Sequence, residues 1–300
     1  MSVAEHEIKI SSRLPQWLRK DVLLNDNSRR VHALIQEFNL NTVCQSARCP
    51  NRNECFSSGT ATFMILGNTC TRGCTFCSVP KGKPIHMPDP GEPKNVASAA
   101  KIMNLNHVVI TSVNRDDLPD QGSIHFAKTI QEVRLQIPNV TIEVLTPDFR
   151  GDKDCIRTVV DANPDIYNHN LETVPRLYKE VRPGAIYKRS LELLMFVKEL
   201  VRAGLAPAPK IITKSGIMLG LGEEKNEVIE VMEDLHKYNC DYLTLGQYMQ
   251  PTRDSYPVYR YLYPEEFQEL KHIGLEIGFK KVFSGPLVRS SYHAREFHEG

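Results

Sequence analysis

The chain has 300 residues, 41% of them apolar, with 37 basic against 36 acidic side chains. That is enough for one large domain or two small ones, and an α/β barrel can use it all; so even a charge balance argues against nucleic acid as a partner. No run approaches the roughly 18 apolar residues of a membrane span, and the polar start, with Glu5 and Glu7, has neither a signal-peptide core nor the Arg-rich character of a transit peptide, so the expected location is cytoplasmic. Residues 1–27 read as a polar surface segment in which Leu14-Pro-Gln-Trp-Leu-Arg19 forms an apolar clamp. A helix is predicted over 28–39, where Val31, Leu34, Ile35 and Phe38 keep helical spacing behind Ser28 as N-cap. Residues 41–59 read as a loop carrying Cys44-x4-Cys49-x5-Cys55. So short and polar a segment has little to bury, and a metal site can supply the missing free energy.

An apolar strand over 61–66 then leads into Cys70-Thr-Arg-Gly-Cys74-Thr-Phe-Cys77. Three thiolates on one short loop can hold three corners of a [4Fe–4S] cube. With no fourth cysteine, one iron stays open to a small molecule. Zinc in a closed site, or a disulfide with a spare thiol, are the alternatives. Six of the eight cysteines lie between 44 and 77, which in a cytosolic chain favours metal over disulfides; Cys155 and Cys240 stand alone and read as small buried hydrophobes. Cys-x3-Cys-x2-Cys with Phe76 before its last cysteine resembles the signature of the radical S-adenosylmethionine (SAM) superfamily. The resemblance implies SAM on the open iron and its one-electron cleavage to a 5′-deoxyadenosyl radical.

Beyond residue 60, apolar runs alternate with amphipathic ones. Strands are predicted at 61–66, 107–111, 140–146, 165–169, 210–219 and 241–245, and helices at 94–104, 123–136, 152–161, 187–202, 224–238 and 264–277. Several strands are β-branched runs with little alternation, as in parallel strands covered on both faces. Six βα units are too few to close an eight-stranded barrel, so an open, partial (β/α)6 TIM-like barrel is expected, with ligand sites at the C-terminal strand edges. Residues 60–279 form this core, 1–59 an N-terminal extension and 280–300 a C-terminal segment. That last segment holds a further strand over 280–283, then Ser-Gly-Pro-Leu-Val-Arg-Ser-Ser-Tyr292, and a polar, frayed ending from His293.

The upstream cysteine triad together with Arg289-Ser-Ser-Tyr292 resembles the lipoyl synthase family, over about residues 14–294. The resemblance implies a second, auxiliary [4Fe–4S] cluster on Cys44, Cys49 and Cys55 beside the one on Cys70, Cys74 and Cys77. A serine oxygen is its fourth ligand: Ser291 by motif order, with Ser290 as the alternative. An alkoxide suits iron in a sulfide cluster less well than thiolate does, so that corner is the one able to open and surrender sulfide. A plain tail turn at Ser290-Ser291 and zinc on the first triad are the alternatives.

The same resemblance places SAM at strand ends. Thr111-Ser-Val-Asn-Arg-Asp-Asp-Leu118 lies at its methionine end, although it departs from a Gly-Gly-Glu motif. Asn170 and Glu172 take ribose hydroxyls, unless Asn168–Glu172 is only a polar turn. Gly220 and Glu223 belong to a Gly-x-Ile-x-Gly-x-x-Glu-like adenine segment with Met218 where isoleucine is usual, and Met249 and Gln250 to the adenine-side wall. Lys188 and Arg189 face either anionic groups or solvent. The implied substrate is an octanoyl chain on a lysine of a lipoyl carrier domain (glycine cleavage H protein or 2-oxoacid dehydrogenase E2), with sulfur inserted at C6 and C8. Electrons come from a ferredoxin- or flavodoxin-type donor, and no acid or base from the chain is required. A methylthiotransferase-like enzyme, biotin-synthase-like insertion and a zinc-binding interaction module are the rival readings.

Overall fold

The structure, a computed structural model, describes residues 14–19, 26–49, 51–57, 61–207 and 210–291. Residues 1–13, Tyr292 and the ending from His293 lie outside the described residues.

One eight-stranded sheet runs in chain order: β1 (Asn41–Thr42), β2 (Thr62–Ile65), β3 (His107–Ser112), β4 (Thr141–Leu145), β5 (Ile166–Asn168), β6 (Ile212–Leu219), β7 (Tyr242–Gln247) and β8 (Lys281–Gly285). β2 to β8 are parallel, each paired to the next, and β1 is antiparallel to β2. Among the described residues no ladder joins β8 back to β1, so the sheet is open. Helices Glu92–Ile102, Ser123–Gln136, Lys153–Asp161, Tyr187–Arg202, Lys225–Lys237 and Pro264–Ile277 fill the six crossovers between parallel strands. The first four of these helices pack each on the next, and the last two pack on each other. Strands β2, β5 and β7 are buried along their whole length, as parallel strands covered on both faces must be. The six predicted crossovers are all present. The tail strand joins as a seventh parallel strand and extends to Gly285.

Within 41–59, the described residues are not the loop expected from their polarity. Asn41 and Thr42 pair with Met64 and Phe63, and helices Val43–Ser46 and Arg52–Ser57 follow. Thr42 caps the first by accepting from the Gln45 amide at 3.3 Å, the satisfaction of an orphan helix donor that threonine supplies. Fully buried Asn51 donates to the Leu287 carbonyl at 2.7 Å, and Ser78 donates to that of Ser46 at 2.7 Å. Long-range hydrogen bonds, which polarity cannot reveal, hold this extension to the tail and the cysteine loop. After β7, Trp17 donates to the Leu262 carbonyl at 3.1 Å and its ring lies 5.0 Å from that of Tyr263, which is the predicted clamp.

Candidate active site

The loop carrying Cys70, Cys74 and Cys77 follows β2 and is pinned from three other strand ends. After β3, the Asn114 carbonyl accepts from the Thr71 amide at 3.0 Å, while the Asn114 amide donates to Cys70 Sγ at 3.3 Å. After β5, the Val181 carbonyl accepts from the Thr75 amide at 3.0 Å, and after β7 the Tyr256 amide donates to the Thr75 carbonyl at 2.9 Å. Arg72, between the first two cysteines, forks onto Asp116 with two bonds of 2.8 Å and reaches Asp148 at 2.8 Å. Burial alone would raise the Asp148 carboxyl, yet Arg72 and the other cations about it hold it well below the usual range. Arg189 also pairs with Asp148, at 2.8 Å from Nε, whereas Lys188 is exposed and only 3.6 Å from Glu192. The open choice between anion and solvent thus divides between the two residues.

Burial pushes the Cys77 and Cys44 thiols up to about 11 and raises that of Cys74. Cys70 and Cys74 stand close enough to Cys77, and Cys49 to Cys44, to add to that rise. Ligation displaces the thiol protons, because the thiolate is the ligand. Among the described residues no three His, Cys, Asp or Glu side chains converge on a single ion. A cubane needs a different arrangement, each cysteine taking a separate iron.

A cavity of about 350 Å³ at the C-terminal strand ends brings the two cysteine groups together. Cys77 lines it from the first, Cys44 and Cys49 from the second, and Ser290 and Ser291 from the tail. Asn170, Glu172, Met249 and Gln250 line it as well, while Cys55, Cys70, Cys74, Gly220 and Glu223 do not. Gly220 and Glu223 instead form a closed turn, in which the Glu223 carboxylate accepts from the Gly220 and Leu221 amides at 2.6 and 2.8 Å. Gly220 has φ +99°, and an added Cβ would strike Gln247 and the Arg260 carbonyl, so its requirement for glycine is local. Apolar wall comes from Val43, Phe76, Leu145, Ile217 and Val288.

Glu172 sits at φ 69°, a left-handed conformation that is uncommon for a residue with a side chain and that clusters at functional sites. Its backbone is held there by Gly216 and Met218 on β6, at 2.9 and 2.8 Å. Burial raises its carboxyl, against Arg182 and Asn170. Asn170 Nδ2 donates to Glu172 at 3.1 Å and to Ser290 Oγ at 2.7 Å, while Asn170 Oδ1 is buried without a partner. A buried acceptor beside a carboxylate in a cavity fits a hydroxyl-bearing ligand such as a ribose, and two groups of three thiols fit clusters.

On the tail, Ser291 Oγ accepts from Thr62 at 2.8 Å, and Thr62 lines the cavity beside Cys44. The Arg289 guanidinium stands near Cys49. Three features were not foreseen: the Arg72–Asp116–Asp148 anchor, Arg182 beside Cys74 and Glu172, and a buried Lys214–Glu143 pair at 2.9 Å. The arginine inside the cysteine loop was the only visible signal for any of them.

An open, nearly all-parallel sheet with a three-cysteine loop after its first parallel strand defines a radical SAM protein, and residues 64–235 match the radical SAM superfamily. The fold is shared at low identity with methylornithine synthase (TM-score 0.52, 14% identical, over 73% of this chain and 69% of that one). It is shared also with the FeFe-hydrogenase maturase HydG from Carboxydothermus hydrogenoformans (0.56, 16%, 73% and 52%). Lipoyl synthases from Caldanaerobacter subterraneus subsp. tengcongensis and Rubrobacter xylanophilus are 56% and 53% identical to it over 94% of the chain, covering 96% and 85% of those proteins. The chain belongs to the lipoyl synthase family. Membership of the superfamily implies one [4Fe–4S] cluster and SAM.

Proposed function

We propose that this protein inserts sulfur at C6 and C8 of an octanoyl group carried on a lysine of a lipoyl carrier domain, as the family name implies. Cys70, Cys74 and Cys77 hold the cluster whose open iron takes SAM. Cys44, Cys49 and Cys55, with Ser291, hold a second [4Fe–4S] cluster. When bound, the first cluster with SAM supplies a radical able to take hydrogen from an unactivated C–H bond, and the second supplies sulfide. The chain's own residues bind, orient and exclude water. Asn170 and Glu172 hold the ribose, with Met249 and Gln250 nearby on the cavity wall. Gly220 and Glu223 close the turn after β6 and belong to the segment read as the adenine side. The apolar wall accepts the acyl chain, as ligand cavities of roughly 300–1,000 Å³ are mostly apolar with a few placed polar groups.

One observation carries this reading: a single cavity is lined by cysteines of both groups, by the tail serines and by apolar side chains. Ser291 is favoured over Ser290 because Thr62 joins it to the side of the cavity where Cys44 stands, whereas Ser290 is held by Asn170. The carrier is a glycine cleavage H protein or a 2-oxoacid dehydrogenase E2 domain, the reductant a ferredoxin or flavodoxin, and the setting cytoplasmic. No helix among the described residues is long and apolar enough to cross a membrane. Anaerobic reconstitution with SAM and an octanoyl-lysyl peptide, followed by mass spectrometry, tests the proposal. Two sulfur atoms gained per peptide are expected; SAM cleavage with no sulfur gain on the peptide would refute it.

A further inference from the structure

We propose that Lys214 is a positioning residue for the C-terminal serine segment, gripping the main chain of that segment from inside the barrel. This rests on the reading of Ser291 as a ligand to the second cluster. Lys214 is the third residue of β6, fully buried, in a strand that is otherwise apolar or small except for Thr213. Lysine is almost never buried to that degree without a partner, and its partner, Glu143 on β4, is itself fully buried. The carboxylate is fixed from other directions: Asn168 on β5 donates to Oε1 at 3.0 Å, and His107 on β3 lies 3.3 Å from Oε2. A buried ion pair is often worth no more to stability than apolar residues of the same volume, so stability alone gives little reason for it. The ammonium also donates to the Ser290 carbonyl at 2.5 Å, a charge-assisted bond of the stronger kind.

Two further contacts make the grip specific. Ser290 Oγ accepts from Asn170 at 2.7 Å, so the residue is held by both its main chain and its side chain. Beneath it on β6, Gly216 lets the tail approach: a Cβ there would stand 2.6 Å from Thr244 Oγ1 and 3.1 Å from Ser290 Oγ. With Ser290 fixed, the next residue, Ser291, is presented towards Thr62 and the Cys44 side of the cavity. Four strands therefore set the position of one tail residue, and Lys214 makes the contact to its backbone.

Trypsin reports on this grip, because it cleaves after Arg289, immediately before Ser290, only when the segment leaves the barrel. Lys81, in an exposed loop, provides an internal control. The test variant is Lys214→Met combined with Glu143→Gln, which removes both charges and leaves no buried ion unpaired; Lys214→Met alone is run beside it. In the cluster-free protein, cleavage after Arg289 should rise roughly 10- to 100-fold in the double variant, the loss of one charge-assisted bond, with cleavage after Lys81 unchanged. After reconstitution, sulfur insertion should fall while SAM cleavage persists. Cleavage after Arg289 at the wild-type rate in the folded double variant would overturn the proposal. Ser291→Ala keeps the Lys214 bond and loses only the one from Thr62, so it should raise tryptic cleavage far less than the double variant does while abolishing sulfur insertion. Full insertion by Ser291→Ala would overturn the ligand reading and leave the grip standing, so the two fail separately.

Discussion

Replacing Arg72 by methionine tests whether the cysteine loop is held by charge. Arg72 has 9% of its side chain exposed, and its partners Asp116 and Asp148 have 15% and 0%. It makes three bonds of 2.8 Å to them. Removing one member of a buried pair costs about 3–5 kcal/mol, mostly through the charge left behind. Here both carboxylates keep other partners: Arg189 on Asp148, and the Thr71 hydroxyl on Asp116 at 3.1 Å. The expected loss is therefore at the low end, about 3 kcal/mol, read as a fall in the urea midpoint of the cluster-free chain. Because the loop then drifts relative to the ends of β3 and β4, which carry Asp116 and Asp148, SAM cleavage by the reconstituted variant should drop by about 100-fold, the scale on which an error of about 1 Å in placement acts. A loss below about 1 kcal/mol, in the range of an exposed pair, together with undiminished SAM cleavage, would refute the anchoring argument.

Two other outcomes follow from the site. Cys70→Ala should abolish SAM cleavage, while Cys44→Ala should retain uncoupled cleavage and lose all sulfur insertion; equal loss of both activities in both variants would contradict the division of labour between the triads. Stability should also fall in acid. Burial would raise the Glu143 carboxyl, but the Lys214 ammonium and His107 outweigh it and hold it at about 2, below its ordinary 4.5, and Asp148 is depressed as well. A depressed carboxylate contributes stability that is complete above its unfolded value and is lost as the pH falls towards its folded one. The urea midpoint should accordingly fall between about pH 4.5 and pH 2, and a flat profile across that window would contradict the reading.

Much of this architecture was legible in the sequence. The parallel strands announce themselves as short apolar runs, and the crossover helices as amphipathic ones, because a strand buried on both faces and a helix buried on one leave different periodicities. The cysteine spacings pointed to the loop after the first parallel strand and, by resemblance, to the pairing of two clusters. What was not legible depends on contacts distant along the chain. The described residues within 41–59 look like loop in sequence because their bonds run to the tail and the cysteine loop; Asn51 to Leu287 is one such pair. Lys214 and Glu143 lie 71 residues apart, and a lone lysine in an apolar strand says nothing about its partner. The Gly220–Glu223 turn was legible as a glycine pattern, and contacts distant from it add a reason for the glycine that the pattern does not show: a Cβ at Gly220 would strike Gln247 and the Arg260 carbonyl.

The proposed reaction requires sulfur to pass from a cluster held by Cys44, Cys49, Cys55 and Ser291 to an acyl chain in the shared cavity. The most direct measurement reconstitutes the protein with 34S-sulfide, removes free sulfide, and runs a single turnover with SAM and an octanoyl-lysyl peptide in buffer containing only 32S. Product carrying 34S at both new positions is the predicted result. Product labelled only with 32S, or unchanged insertion by a chain in which Cys44, Cys49 and Cys55 are replaced by alanine, would contradict it.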